Sequence, residues 1–139
     1  MPAAAGLLLP AAAARAEDPA SLIWNPASIR WQRFDKDGSK YAVLEGDREI
    51  PGRGFTYAFW LPDGVWVNPH WHTEDARVVV VRGTLLLGFG TKLDKEDVTT
   101  IGLGGYFVVR AKQPHYEAAR GDTLIIGAAS GVWRTHEVE

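Results

Sequence analysis

Two histidines separated by a single residue, His70 and His72, have the spacing in this sequence that most directly indicates chemistry. In a β-strand, residues i and i+2 project to the same face, so both imidazole rings would enter one space. A third histidine, His115, lies in a distant stretch after a proline. Neutral imidazole is a common transition-metal ligand, so three convergent rings would form a metal site. The pattern therefore predicts that His70, His72 and His115 are the ligands of a divalent metal.

Two glutamates repeat the same spacing from these histidines. Glu74 lies two residues after His72, and Glu117 lies two residues after His115. If both strands continue, each carboxylate shares a face with its histidine and is a candidate catalytic residue. Glu117 could instead orient a histidine by a hydrogen bond, or it could be an exposed charge at the end of a strand.

Composition limits the classes of function. The chain has 139 residues, of which 46% are hydrophobic, enough for one domain with a core. Its 15 basic and 17 acidic residues leave no electrostatic argument for nucleic acid or an anionic membrane as a partner. The absence of cysteine excludes a thiolate nucleophile and cysteine zinc sites. No phosphate-binding glycine loop is present, which leaves nucleotide binding without support.

The elements that must position the histidines read as short strands. Runs rich in aromatic and β-branched residues alternate with Gly, Pro and Asp turns, predicting ten to eleven strands and no helix. Residues 29–31 are expected to form the first strand, and residues 78–81 to be buried on both faces. Residues 82–84 and 120–122 are expected to be turns, the first leading into a hairpin partner at 85–89. The predicted fold class is all-β, a sandwich or barrel.

The first nineteen residues differ from the rest. Residues 3–16 are almost wholly Ala, Leu, Gly and Pro, and they end in a small-x-small triplet. This composition predicts a signal peptide and a periplasmic or secreted protein, with a disordered Ala/Pro-rich tail as the alternative. Residues 20–139 contain no internal repeat or linker and are expected to form a single domain.

The histidine segments resemble the two motifs of the cupin superfamily. In the first motif, Gly64, five residues, His-x-His and a closing Gly83 fall at the expected distances. In the second motif, Gly104 and His115 are in place, whereas Arg110 and Lys112 replace the family's Pro and Gly. The resemblance extends over roughly residues 24–138 and implies a double-stranded β-helix, or jelly-roll barrel. The position of the family's metal-binding glutamate falls on Ala76.

The resemblance implies a metal-binding protein whose reaction the motif does not specify. One interpretation is a metal-dependent oxidoreductase, dioxygenase-like, which would hold Fe, Mn, Ni, Cu or Zn through three histidines and act on a small organic substrate. Isomerase and lyase chemistry are further possibilities, and Glu74 could replace the missing ligand. The alternative interpretation is a non-catalytic barrel that binds a small ligand or a metal at a degenerate site. The resemblance also implies a homodimer.

Overall fold

The computed structural model describes residues 20–139, and over this range it is a curled antiparallel β-structure with nine strands. The predicted signal segment, residues 1–19, lies outside the described residues. Between residues 20 and 139, no helix is long and apolar enough to cross a membrane. The elements in chain order are a 3-10 helix Pro26–Ser28 and the strands β1 Arg33–Phe34, β2 Lys40–Gly46, β3 Gly54–Leu61, β4 Trp66–His72, β5 Ala76–Phe89, β6 Thr99–Ile101, β7 Tyr106–Val109, β8 His115–Ser130 and β9 Thr135–Glu137.

Two long strands, β5 and β8, pair with each other and pass through both layers of the fold. The second half of β8 pairs with β3 and with the first half of β5, and this layer extends through β2, β1 and β7. The first half of β8 pairs with β4 and with the second half of β5, and that layer extends through β9 and β6. The layers therefore form a double-stranded β-helix, as predicted, although with fewer and longer strands.

The expected turns at residues 82–84 and 120–122 are bends inside β5 and β8, so the predicted hairpin is wrong. Gly83 and Gly121 have φ of +75° and +72°, and the β5–β8 register shifts on both sides of Arg82. Positive-φ glycines and bulges let a strand bend without ending. A glycine between two apolar runs has the same sequence signature in a turn as in a bent strand, which explains why a hairpin is predicted here.

Burial alternates along the valine run of β5. Val78 and Val80 are 2% and 0% exposed, but Val81 is 38% exposed, which corrects the expectation of burial on both faces. The inward residues join a core cluster with Tyr57, Leu85 and other residues of both layers.

The N-terminal segment covers the outer face of one layer rather than forming the expected strand at residues 29–31. Ile29 packs with Ala42, Ala58 and Leu124. The indole Nε1 of Trp24 donates to the carbonyl of Leu44 at 3.0 Å. Burial of Ile29 therefore comes from this outer packing and not from sheet pairing.

The bend in β5 and β8 predicts that substitutions at Gly83 and Gly121 destabilise the protein to different extents. A Cβ at Gly83 would collide with the Asp122 carbonyl and the Thr123 side chain, whereas a Cβ at Gly121 would meet open space. Both positions have positive φ, which costs a non-glycine residue about 1–2 kcal/mol. Gly121→Ala should lower the free energy of unfolding by about that amount, and Gly83→Ala by clearly more, because the collision adds to the strain. Urea denaturation of both variants checks this, and equal losses would contradict the geometry of the bend.

Candidate metal centre

The three histidines lie together, as their spacing predicts. His70 and His72 are in β4, and His115 begins β8 directly opposite His70 in the strand register. The ring centroids are 5.0 Å apart for His70 and His72, 4.2 Å for His70 and His115, and 5.1 Å for His72 and His115. One nitrogen from each ring lies within 4.8 Å of the others. The cluster can therefore hold a metal ion.

Hydrogen bonds at Nδ1 orient the rings. The carbonyls of Asn68 and Gln113 lie 2.7 Å from Nδ1 of His70 and 3.0 Å from Nδ1 of His115. A carbonyl oxygen only accepts, so both Nδ1 atoms carry the proton and both Nε2 atoms keep their lone pairs. Nδ1 of His72 is 3.0 Å from the Thr135 hydroxyl. Backbone carbonyls that fix the tautomer in this way are typical partners of metal-ligating histidines.

Burial keeps the His72 and His115 rings neutral. Burial lowers the pKa of His72 to about 2, with further lowering from the neighbouring His115 and His70 rings. Burial also lowers the pKa of His115, although the charge of Glu117 acts in the opposite direction. Because only the neutral ring coordinates, His72 and His115 need no deprotonation to bind a cation near neutral pH. Imidazole donors suit Zn, Cu, Fe and Ni, so the residues present fit a transition metal.

Three residues outside the predicted site support the cluster. Trp133 is 3% exposed and its ring stacks on His72 at 4.3 Å. Thr135 contacts His72 from β9. Asp75 accepts hydrogen bonds from the Ala111 amide at 2.8 Å and from Arg110 at 3.1 Å, which ties the loop before His115 to the start of β5. No spacing rule connects these residues to the histidines, because they meet only through tertiary packing.

The two motif substitutions take part in that loop. Arg110 pairs with Asp75, and together with the Ala111 amide it lowers the pKa of that carboxyl group. Lys112 has φ of +63° and donates its amide to the His72 carbonyl at 2.7 Å. The position that the resemblance assigns to glycine therefore keeps a glycine conformation, but with a lysine side chain.

Ala76 and Glu117 line one cavity of about 290 Å³ with the three histidines. Ala76 is 3% exposed and presents only a methyl group, which agrees with the parity of β5. Glu117 is 8% exposed, lies within β8, and is not the exposed strand-end charge considered as its alternative. Glu74 is half-buried in the bend between β4 and β5 and is not among the residues that line this cavity.

Trp71 and His136 lie away from the cavity. The Trp71 ring stacks on His136 at 4.2 Å, and His136 is exposed on β9. Trp71 therefore faces away from the two histidines that flank it, as strand alternation requires.

The fold is similar to solved structures of cupin and related proteins. The polyketide cyclase RemF from Streptomyces resistomycificus superposes with a TM-score of 0.67 at 15% identity, over 86% of this chain and 87% of that one. An uncharacterized Klebsiella pneumoniae protein with a double-stranded β-helix domain gives 0.65 at 14%, over 86% and 99%. A cupin superfamily protein from Desulfitobacterium hafniense gives 0.59 at 16%, over 81% and 94%.

These likenesses show that the chain has the cupin fold, which the two motifs predicted. A scan against protein-family models and a search of curated proteins found no match. At this level of identity, the solved structures establish the fold and leave the reaction open.

The strained lysine gives a prediction about stability. Lys112→Gly should raise the free energy of unfolding by about 1 kcal/mol, because glycine adopts positive φ without a Cβ penalty. Lys112→Ala is the matched control, since it removes the same charge and keeps the strain. Thermal or urea unfolding of the metal-free proteins compares them. If both variants gain equally, the lysine charge and not the backbone is responsible.

The methyl group of Ala76 gives a prediction about metal affinity. Ala76→Glu should tighten Zn²⁺ binding by about tenfold or more, because a carboxylate adds negative charge and a hard ligand beside three neutral ones. Ala76→Gln is the isosteric neutral control and should not tighten binding in this way. Isothermal titration calorimetry measures both, with circular dichroism to verify folding. Equal affinity in the wild type, Ala76→Glu and Ala76→Gln would show that residue 76 does not face the ion.

Proposed function

We propose that this chain is a metal-dependent enzyme acting on a small organic substrate, with His70, His72 and His115 as ligands and Glu117 as the proton acceptor. The observation that carries the proposal is the position of Glu117. It is a buried carboxylate in the same cavity as the three imidazoles.

A divalent cation held by the three histidines would supply Lewis acidity and keep positions open for other ligands, since the protein provides only three donors. The histidines contribute no negative charge, and Ala76 adds none. The site would therefore leave more of the cation's charge available to polarise a substrate oxygen.

Glu117 has the surroundings of a proton-transfer group. Its strand neighbours in the register are Val67 on β4 and Leu87 on β5, so its backbone is fixed from both sides. Its charge acts on His115 and on Tyr57, whose pKa is raised by burial first and by Glu117 second. Tyr57 thus stays a neutral phenol near the carboxylate. A base next to a Lewis acid supports proton abstraction from carbon, as in isomerases and lyases.

Oxidation by dioxygen is the second candidate. The open positions that three neutral ligands leave would accept both a substrate and dioxygen, which favours the oxidoreductase interpretation. The non-catalytic barrel is the outcome expected if the cavity binds a metal or ligand but turns over nothing. The polyketide cyclase RemF shares the fold, which shows that enzymes occur on it and does not choose among these reactions.

Glu117→Gln separates proton transfer from metal binding. It should keep Zn²⁺ or Fe²⁺ affinity within about threefold, because Glu117 is not a proposed ligand. It should slow solvent-deuterium incorporation into the active members of a panel of small organic acids and carbonyl compounds by about 10²–10⁴-fold. Nuclear magnetic resonance in D₂O measures the exchange without knowledge of the full reaction.

Two further variants and one further readout complete the test. Glu74→Gln examines the other candidate carboxylate, and Glu96→Gln on the exposed 90–98 loop is the surface control. Oxygen uptake that requires Fe²⁺, without deuterium exchange, would favour oxidation instead. Metal binding with neither activity would favour the non-catalytic barrel, and absence of metal binding would reject the enzyme proposal.

A further inference from the structure

A second group of polar residues lines the same cavity as the histidines. Tyr41 on β2, Arg33 at the start of β1 and Arg48 after β2 all contribute to its wall. Both guanidinium groups lie near the Tyr41 ring, with their Cζ atoms 5.0 Å and 5.3 Å from its centroid. This places two cations at one part of a cavity that also contains the metal centre.

Arg48 is held in place by the residue that packs on His72. Its Nη2 donates to the Trp133 carbonyl at 3.3 Å, and the Trp133 amide donates to the Arg48 carbonyl at 3.0 Å. Its side chain is only 25% exposed. The guanidinium is thus fixed before any ligand arrives, which reduces the entropy that binding would cost.

Among residues 20–139, the charge of Arg48 has only a distant carboxylate partner. Its Nε lies 4.0 Å from Glu49, at the limit of an ion pair. Glu49 is itself engaged by Arg134 through two contacts of 3.1 Å and 2.7 Å. Arg33, by contrast, is exposed and pairs with Asp35 at 3.3 Å. A mostly buried guanidinium with weak compensation favours an anionic ligand, and Arg presents paired donors that match a carboxylate.

Tyr41 supplies an unused polar group beside Arg48. The residue is 8% exposed, and its buried hydroxyl lies against the Arg48 guanidinium but makes no hydrogen bond of good geometry to any described residue. Leaving a buried hydroxyl unpaired costs stability, so such a group requires an explanation. A ligand oxygen bound to Arg48 would be a partner for it.

An aromatic wall connects this group to the metal centre. Tyr41 stacks on Tyr57 at 5.5 Å, Tyr57 packs on Trp133 at 5.9 Å, and Trp133 stacks on His72. A ring-shaped ligand body could pack along this wall. The cavity of about 290 Å³ would hold about ten water molecules, which suits a single small ring with one substituent.

We propose that Arg48 and Tyr41 form a carboxylate-binding subsite, and that the cavity takes a small ring-bearing organic acid whose other end faces the histidines. The subsite rests on the contacts of Arg48 and Tyr41 alone, while its assignment as the substrate's anchor rests on the proposed function. The cavity also contains Glu117, Asp37 and Glu137, and their charge disfavours a second anionic group. The ligand is therefore a monoanion.

Binding of benzoate to the metal-free protein tests the subsite, with the neutral isostere benzamide as the comparison ligand. Cyclohexanecarboxylate and glucuronate extend the panel to saturated rings. Intrinsic tryptophan fluorescence, to which Trp133 in the cavity wall contributes, or calorimetry reports binding. At least one acid should bind at millimolar concentration, benzamide should bind at least about tenfold more weakly than benzoate, and Arg48→Met should weaken the acid by about tenfold or more. Arg53→Met, at an exposed arginine outside the cavity, should leave the affinity unchanged.

Tyr41→Phe distinguishes a ligand-binding hydroxyl from a merely structural one. Removing an unpaired buried hydroxyl should leave the stability of the ligand-free protein equal or higher, while acid binding weakens by about threefold or more. A loss of stability with unchanged acid affinity would show that the hydroxyl serves packing only.

The outcomes separate this inference from the proposed function. If the acids bind only after Zn²⁺ is added, and Arg48→Met binds them as tightly as the wild type, the ion and not Arg48 is the anchor, and the subsite is overturned while metal binding stands. Equal affinity for benzoate and benzamide, or no binding of any acid, also overturns it. Acid binding that depends on Arg48 in a protein that binds no metal would leave the subsite intact and reject the metal-dependent function.

Discussion

The pairing of β4 with β8 is the interaction on which the site depends. It sets His70 directly opposite His115 and, through the i+2 spacing of β4, brings His72 to the same face. β8 can reach this position and still pair with β3 because it bends at Gly121 without ending. A slip of one residue in the β4–β8 register would turn a histidine away from the cavity. The metal centre is therefore a consequence of sheet register, and the loops around it adjust the rings.

The protein surrounds the histidines with groups that fix the tautomer and orientation of the imidazole rings. Carbonyl oxygens hold the Nδ1 protons of His70 and His115, while Trp133 and Thr135 hold His72. Burial disfavours a charged ring, so the cluster pays a desolvation cost only if it takes up protons. The arrangement resembles a binding site prepared for a cation more than a set of histidines used for packing. A packing role would not need one nitrogen of each ring to lie within 4.8 Å of the other two.

The sequence predicted the parts of this structure that repeat at short range and missed those created by the fold. The His-x-His spacing predicted that the histidines share a face, because strand parity is a local property, and the resemblance of the two motifs to cupins implied the fold. Turns are predicted at Gly83 and Gly121, but both glycines lie inside bent strands, since a local signal cannot distinguish a hairpin from a bent strand. The burial of Glu117 depends on β8 lying between β4 and β5, and the contacts of Trp133 and Asp75 join residues far apart in the chain. The order of residues in the chain alone does not predict these contacts.

Ala76 stands at the position where the cupin resemblance implies a metal-binding glutamate, while Glu117 places a different carboxylate in the same cavity. A carboxylate bound to the cation would neutralise part of its charge and lose its own basicity. With a methyl group at 76, the carboxylate at 117 lies near His115 and Tyr57 and is not part of the histidine cluster. The cation would bind more weakly, yet a Lewis acid and a free base would act on the same ligand from different sides. If the metal polarises the ligand and Glu117 takes its proton, a further group must hold the ligand in place. Arg48 is the group in the cavity best suited to do so, because its guanidinium is fixed and its charge is weakly compensated.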